Sequence, residues 1–250
     1  MKNTQTFIAI LFCLVMFCSC SQTKNPYDLS NFGLVPDQKD NASPLMAKAL
    51  EQIAASHTGS DTITIVLPKG RYDFYPEGAA QKEYFISNHD QDNPKLVGLP
   101  FENMKNIVFD GQGSELIFHG RMLPVSLINS ENCTLKNFSI DFENPQITQA
   151  KVLENDTVAN VITYELAPWV TYKVTDSILV SYGEGWEQNP FYCIAFEPDT
   201  RRLVFNTSDV PVKTKGVVKV ASRQIRAENW HNPKLLPGTI MAMRTWTRPA

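Results

Sequence analysis

Apolar and polar residues alternate along two related stretches, and the strands this predicts organise the rest of the chain. In the first stretch, Asn106-Ile107-Val108-Phe109 leads through the polar turn Asp110-Gly111-Gln112-Gly113 into Leu116-Ile117-Phe118. In the second, Asn132-Cys133-Thr134-Leu135 leads through Lys136-Asn137 into Phe138-Ser139-Ile140-Asp141-Phe142. A period of two marks each run as a strand. Asn106 and Asn132 stand 26 residues apart, and a strand-and-turn repeat of that length, with no helix between, reads as a β-solenoid. One coil cannot bury its own apolar face, so consecutive coils must stack. Ile107 would then lie over Cys133 and Phe109 over Leu135. The alternative is two unrelated hairpins of a sandwich.

The pattern changes on either side. Leu45, Ala49, Leu50 and Ile53 share one helical face, with Ser43 as N-cap, Pro44 at the first helical position and a stop near Thr58-Gly59. Such a helix would cap the first coil. Ile63, Ile65 and Leu67 alternate in a strand that ends at the turn Pro68-Lys69-Gly70. After Gln149 the coil spacing gives way to strands at 161–166, 178–182, 192–196, 203–205 and 217–220, with a hairpin turning at Pro198-Asp199. These predict an inserted antiparallel β-barrel or sandwich module over residues 150–237; an irregular continuous solenoid is the alternative. Residues 44–149 then carry the cap helix and first coils, and 238–250 return to the solenoid. About three coils, with no closing cap on the last, lead us to expect the N-terminal part of a longer protein.

Composition narrows the setting. The chain has 250 residues, of which 43% are hydrophobic and 20% charged, with net charge −3 and no Lys/Arg run, so no nucleic-acid footprint is expected. Met1–Cys20 reads as an export signal, with Lys2 ahead of the apolar run 7–17. Its end, Phe17-Cys18-Ser19-Cys20, resembles a bacterial lipoprotein box. We expect a lipid on Cys20, a polar tether over 21–43, and a location at the bacterial cell envelope. A simple cleaved signal is the alternative. Cys133 and Cys193 fall in strand-like runs and read as buried free thiols. No metal-ligand cluster is evident.

The phrases "IVLPKGRYDF", "NIVFDGQGSELIF" and "NCTLKNFSIDF" resemble the opening of pectate-lyase-like carbohydrate enzymes, whose fold is a right-handed parallel β-helix. With "FENPQITQAKV" and "MRTWTRPA" they resemble, more narrowly, the bacterial α-1,3-galactosidases of glycoside hydrolase family 110. That resemblance implies an exo-acting, inverting, metal- and cofactor-independent enzyme that removes terminal α-1,3-linked galactose, as on blood-group-B glycans. It also implies a catalytic motif of adjacent aspartates in later coils. No Asp-Asp pair occurs in this chain, so the catalytic acids are expected beyond Ala250 and the 250 residues alone are expected to be inactive. A different β-helix polysaccharide lyase or hydrolase, or a non-catalytic glycan-binding surface protein, is the competing reading.

Within the chain, Asp110, Asp141 and Glu143 are the carboxylates on the coils. Asp141 and Glu143 share a strand face roughly 7 Å apart, near the spacing of an inverting pair, but alternating strands offer such pairs routinely. Asp110 sits in a turn it can cap. Arg244, Trp246 and Arg248 alternate on one face and are the candidate substrate-binding residues, because guanidinium forks and an indole face suit a sugar ring. A packed seam is the alternative. Trp169, Trp186 and Trp230 read as core or rim of the inserted module. His57, His89, His119 and His231 are isolated in sequence and read as structural or surface residues.

Overall fold

The computed structural model describes residues 26–85, 93–207 and 209–245. In chain order the strands are β1 Tyr27–Asp28, β2 Ile63–Val66, β3 Arg71–Phe74, β4 Ala80–Lys82, β5 Lys95–Glu102, β6 Lys105–Phe118, β7 Leu123–Ile128, β8 Glu131–Phe142 and β9 Thr148–Asp156. They continue as β10 Val161–Leu166, β11 Tyr172–Thr175, β12 Ile178–Gly183, β13 Trp186–Gln188, β14 Tyr192–Phe196, β15 Val210–Pro211, β16 Val217–Ala221, β17 Gln224–Glu228 and β18 Ile240–Arg244. Among the described residues one α-helix, α1, spans Ser43–Ser56.

The long strand β6 is the axis of the first half. It pairs in parallel with β2 at Ile107–Asp110 and with β3 at Glu115–Phe118, and carries β8 along its other edge. The 26-residue spacing sets that last register: Ile107 faces Cys133 and Phe109 faces Leu135. Inward residues of this sheet and of the separate sheet β4-β5-β7, with α1, form one apolar core around Phe74, Phe101, Phe109 and Phe118. The helix buries Met46, Ala49, Leu50 and Ile53, one turn apart on a single face, whereas Leu45 is exposed. Ser43 is its first residue rather than its cap: Ser43 N–H donates to Asn41 Oδ1 (2.9 Å) and its hydroxyl to the Tyr75 carbonyl (2.7 Å).

The expected right-handed parallel β-helix is not formed. Parallel ladders among the described residues are confined to β1–β2, β6 with β2, β3 and β8, and β5–β7, while β4 joins β5 antiparallel. The largest sheet, of seven strands in the order β15-β14-β18-β9-β10-β17-β16, is antiparallel throughout. The sheets are therefore mixed. Two similar segments specify one pairing, but a solenoid needs that pairing repeated, and from Thr148 hairpin-linked strands take over. Strand β18, expected to rejoin a coil, instead lies in the middle of the antiparallel sheet between β9 and β14. This sheet encloses a second core around Tyr164, Cys193, Ile225 and Met241. A three-stranded sheet, β11-β12-β13, flanks it.

Candidate functional site

Parallel register brings a charged cluster together where β3, β6 and β8 end. Phe74, Phe118 and Phe142 occupy one rung of the ladder and point into the core. Because strand side chains alternate between faces, the next residues, Tyr75, His119 and Glu143, gather on the opposite face. The ladder runs one step further, with His119 N–H donating to the Phe74 carbonyl (2.9 Å) and Glu143 N–H to that of Phe118 (3.0 Å). This stacks the Tyr75 and His119 rings, their centroids 3.9 Å apart and their planes within 13°.

Asp73, two residues before Tyr75, is only 1% exposed. A carboxylate so buried needs charged partners, and it has two. Arg71 grips it in a fork, Nε to Oδ2 at 3.0 Å and Nη2 to Oδ1 at 2.5 Å, and reaches Glu143 Oε2 at 2.9 Å. His119 Nε2 lies 2.9 Å from Asp73 Oδ1, and its Nδ1 lies 2.8 Å from Glu184 Oε2. With an ionised carboxylate at each ring nitrogen, both nitrogens must donate, so the imidazole is the charged form. Burial opposes that charge, but the hydrogen bonds to Asp73 and Glu184 outweigh it and raise the His119 pKa above the ordinary value. Burial likewise opposes ionisation of Asp73, and the Arg71 and His119 bonds overcome it to hold the carboxyl below its usual range.

Glu184 comes from the two-residue connection between β12 and β13, so this ion pair ties the second half of the molecule to the first. Gly120 permits the approach: it has φ +65°, and a Cβ there would stand 3.0 Å from Pro76 and 3.4 Å from the Glu184 carbonyl. Beside the cluster opens a cleft of about 460 Å³, walled by Tyr75, Pro76 and Leu96 and fringed by Glu77, Arg121 and Glu184. A separate cleft of about 550 Å³ lies between α1 and β4–β5. Its Glu102 is engaged by Lys82 and Tyr84, both at 2.5 Å.

Asp73, His119 and Glu143 offer donor atoms within 4.8 Å of one another, which is a cation-binding set by residue type. The Arg71 guanidinium, bonded to both carboxylates, stands where such a cation would sit. The same bridging makes Asp73 and Glu143 a poor pair for inverting hydrolysis, which needs about 6.5–9.5 Å and room for water between the carboxylates. What the cluster does do is fix the walls of the cleft.

The residues singled out from the sequence are dispersed. Asp110 caps its turn, accepting from Gln112 N–H (2.9 Å) and Asn137 Nδ2 (3.0 Å). Asp141 is exposed and accepts from its neighbour Phe142 N–H, and Glu143 joins Arg71. Arg244 ends β18 and pairs with Asp209; Trp246, Arg248, His89 and Cys20 lie outside the described residues. Trp230 packs edge-on against Tyr164 in the second core, and Trp169 is exposed. Sequence reasoning passed over Asp73 and Glu184 and read His119 as an isolated structural or surface residue, because the three lie 46 and 65 residues apart. The usable signal was Arg71-Tyr72-Asp73-Phe74, where alternation sets Arg71 and Asp73 on one face.

Comparison with known proteins places these features among relatives. A family profile described as GLAA-B beta-barrel domain I matches residues 148–241, the stretch from β9 into β18. An alpha-1,3-galactosidase B of Parabacteroides distasonis is 59% identical over 97% of the chain, and one of Phocaeicola vulgatus 52% over 94%. An alpha-1,3-galactosidase B of Bacteroides fragilis is 49% identical over the whole chain. The chain spans only about 40–42% of the length of these relatives.

Proposed function

Since the chain belongs to the α-1,3-galactosidase B family, we propose that the whole protein releases terminal α-1,3-linked galactose from glycans of the blood-group-B type. The observation that carries this reading is the 59% identity sustained over 97% of the chain. In the same reading the enzyme is exo-acting, inverting and independent of metal. Its catalytic carboxylates lie outside these 250 residues, so this chain is scaffold rather than reaction centre. Two observations support that division: the chain has no adjacent aspartates, and its buried carboxylate Asp73 is neutralised by Arg71 and His119. Arg244, Trp246 and Arg248 are the proposed glycan contacts, and a lipid on Cys20 the proposed tether to the cell envelope.

The test compares the full-length product with the 250-residue chain on disaccharides bearing α-1,3-, α-1,4- and α-1,6-linked galactose. Galactose release by the full-length product from the α-1,3 substrate, as the β-anomer seen first by NMR, is the expected result. No release by the full-length product refutes the activity, and turnover by the chain alone refutes the placement of the catalytic acids.

A further inference from the structure

We propose that the cleft between Tyr75–Pro76 and the Glu184–Gly185 turn is a glycan subsite, taking one neutral pyranose ring apart from the catalytic carboxylates. The proposal rests on the galactosidase reading for the class of ligand, and on the cleft itself for the site. Its volume of about 460 Å³ falls within the range of small-molecule pockets. Half-buried Tyr75, Pro76 and Leu96 give it an apolar wall of the kind that supports the CH face of a sugar. The same cleft is lined by hydrogen-bonding groups of both signs: the exposed residues Glu77 and Glu184, with their carboxylates, and exposed Arg121, with its guanidinium. With the charged His119, which is bonded to Glu184, the lining carries two cations and two carboxylates. That balance favours a neutral polyol over a phosphate, a uronic acid or an ammonium ion, each of which would meet a like charge.

The site is also pre-organised, which lowers the ordering cost of binding. His119 is 5% exposed and pinned on three sides, by Asp73, by Glu184 and by the Tyr75 ring. It thereby fixes Tyr75 on the wall and Glu184 on the rim. At Gly185 a Cβ would meet nothing within 4 Å, so the turn leaves open space beside Glu184.

Titration of the 250-residue chain with α-D-galactopyranosyl-(1→3)-D-galactose, followed by calorimetry and saturation-transfer NMR, tests this. The expected outcome is saturable binding with a dissociation constant on the order of millimolar, as suits a single ring at modest energy per atom. Arg121→Ala and Glu77→Gln, both at exposed positions, weaken it at least about fivefold with an unchanged thermal midpoint. Absence of saturable binding, binding indifferent to both substitutions, or tighter binding of galacturonic acid overturns the proposal. Cleavage by the full-length product without binding by the chain sinks the subsite alone. Binding by the chain without cleavage by the full-length product sinks the galactosidase reading alone.

Discussion

Replacing Asp73 by alanine removes the centre of the ion network, and the size of the loss follows from burial. The Asp73 side chain is 1% exposed and accepts from Arg71 and His119, whereas the Arg71 side chain is 30% exposed. Removing one member of a buried pair costs about 3–5 kcal/mol, because the survivor keeps its charge without compensation. Here His119 keeps Glu184 and Arg71 keeps Glu143, so the low end applies, about 3 kcal/mol. For a chain of this length that lowers the thermal midpoint by roughly 6–12 °C. Asp73→Asn, which keeps one acceptor oxygen but no charge, falls between the two at about 1–2 kcal/mol. Glu143, whose side chain is 51% exposed, is the internal control: Glu143→Gln costs under about 1 kcal/mol. Urea titration followed by far-UV circular dichroism measures all three. An Asp73→Ala loss below about 1 kcal/mol, or a Glu143→Gln loss equal to it, refutes the claim that burial sets the strength of this network.

The remaining expectations concern the same interior. Because the folded pKa of His119 is raised, its contribution is complete below the unfolded value of about 6.5 and fades as pH climbs through the folded value. Asp73, with a lowered pKa, contributes above about 3.9 and loses this as pH falls through its folded value. Urea midpoints measured from pH 2 to 9 therefore decline at both ends; His119→Gln flattens the alkaline limb and shrinks the acid one, because the His119 bond is one of those that hold the Asp73 carboxyl low. Gly98→Ala would set a Cβ 2.4 Å from Phe118 Cε1 and 3.0 Å from the Pro124 carbonyl. That overpacking costs about 1–3 kcal/mol, read from the urea midpoint. Cys193 is fully buried and its thiol is pushed up to about 12 by desolvation. Iodoacetamide with peptide mapping should label half-exposed Cys133 and leave Cys193 unmodified until urea is added.

How much of this was legible beforehand depended on the range of each interaction. Local alternation located β6 and β8, and matching their asparagines gave the pairing of Ile107 with Cys133, because register in a half-buried strand is fixed by which residues face the core. The helix was found, but its buried face was set by Met46 rather than Leu45: periodicity defines a stripe, and the neighbours it packs against decide its centre. The parallel β-helix did not follow, since one repeated spacing says nothing about the strands that come after it. The antiparallel character of residues 150–237 was visible in the short strands and the Pro198-Asp199 turn. That β18 joins this sheet rather than a coil was not, because its partners β9 and β14 lie far back in the chain. The charged cluster was hidden for a related reason. His119 looks isolated in sequence, yet the register that aligns Phe74, Phe118 and Phe142 places Tyr75, His119 and Glu143 on the next rung. Once that ladder is known, the cluster is a consequence of it: an aspartate two residues before Tyr75 must face His119, and Arg71 two residues earlier must face Asp73. Glu184 alone needs tertiary information, since the turn that carries it arrives from the other half of the molecule.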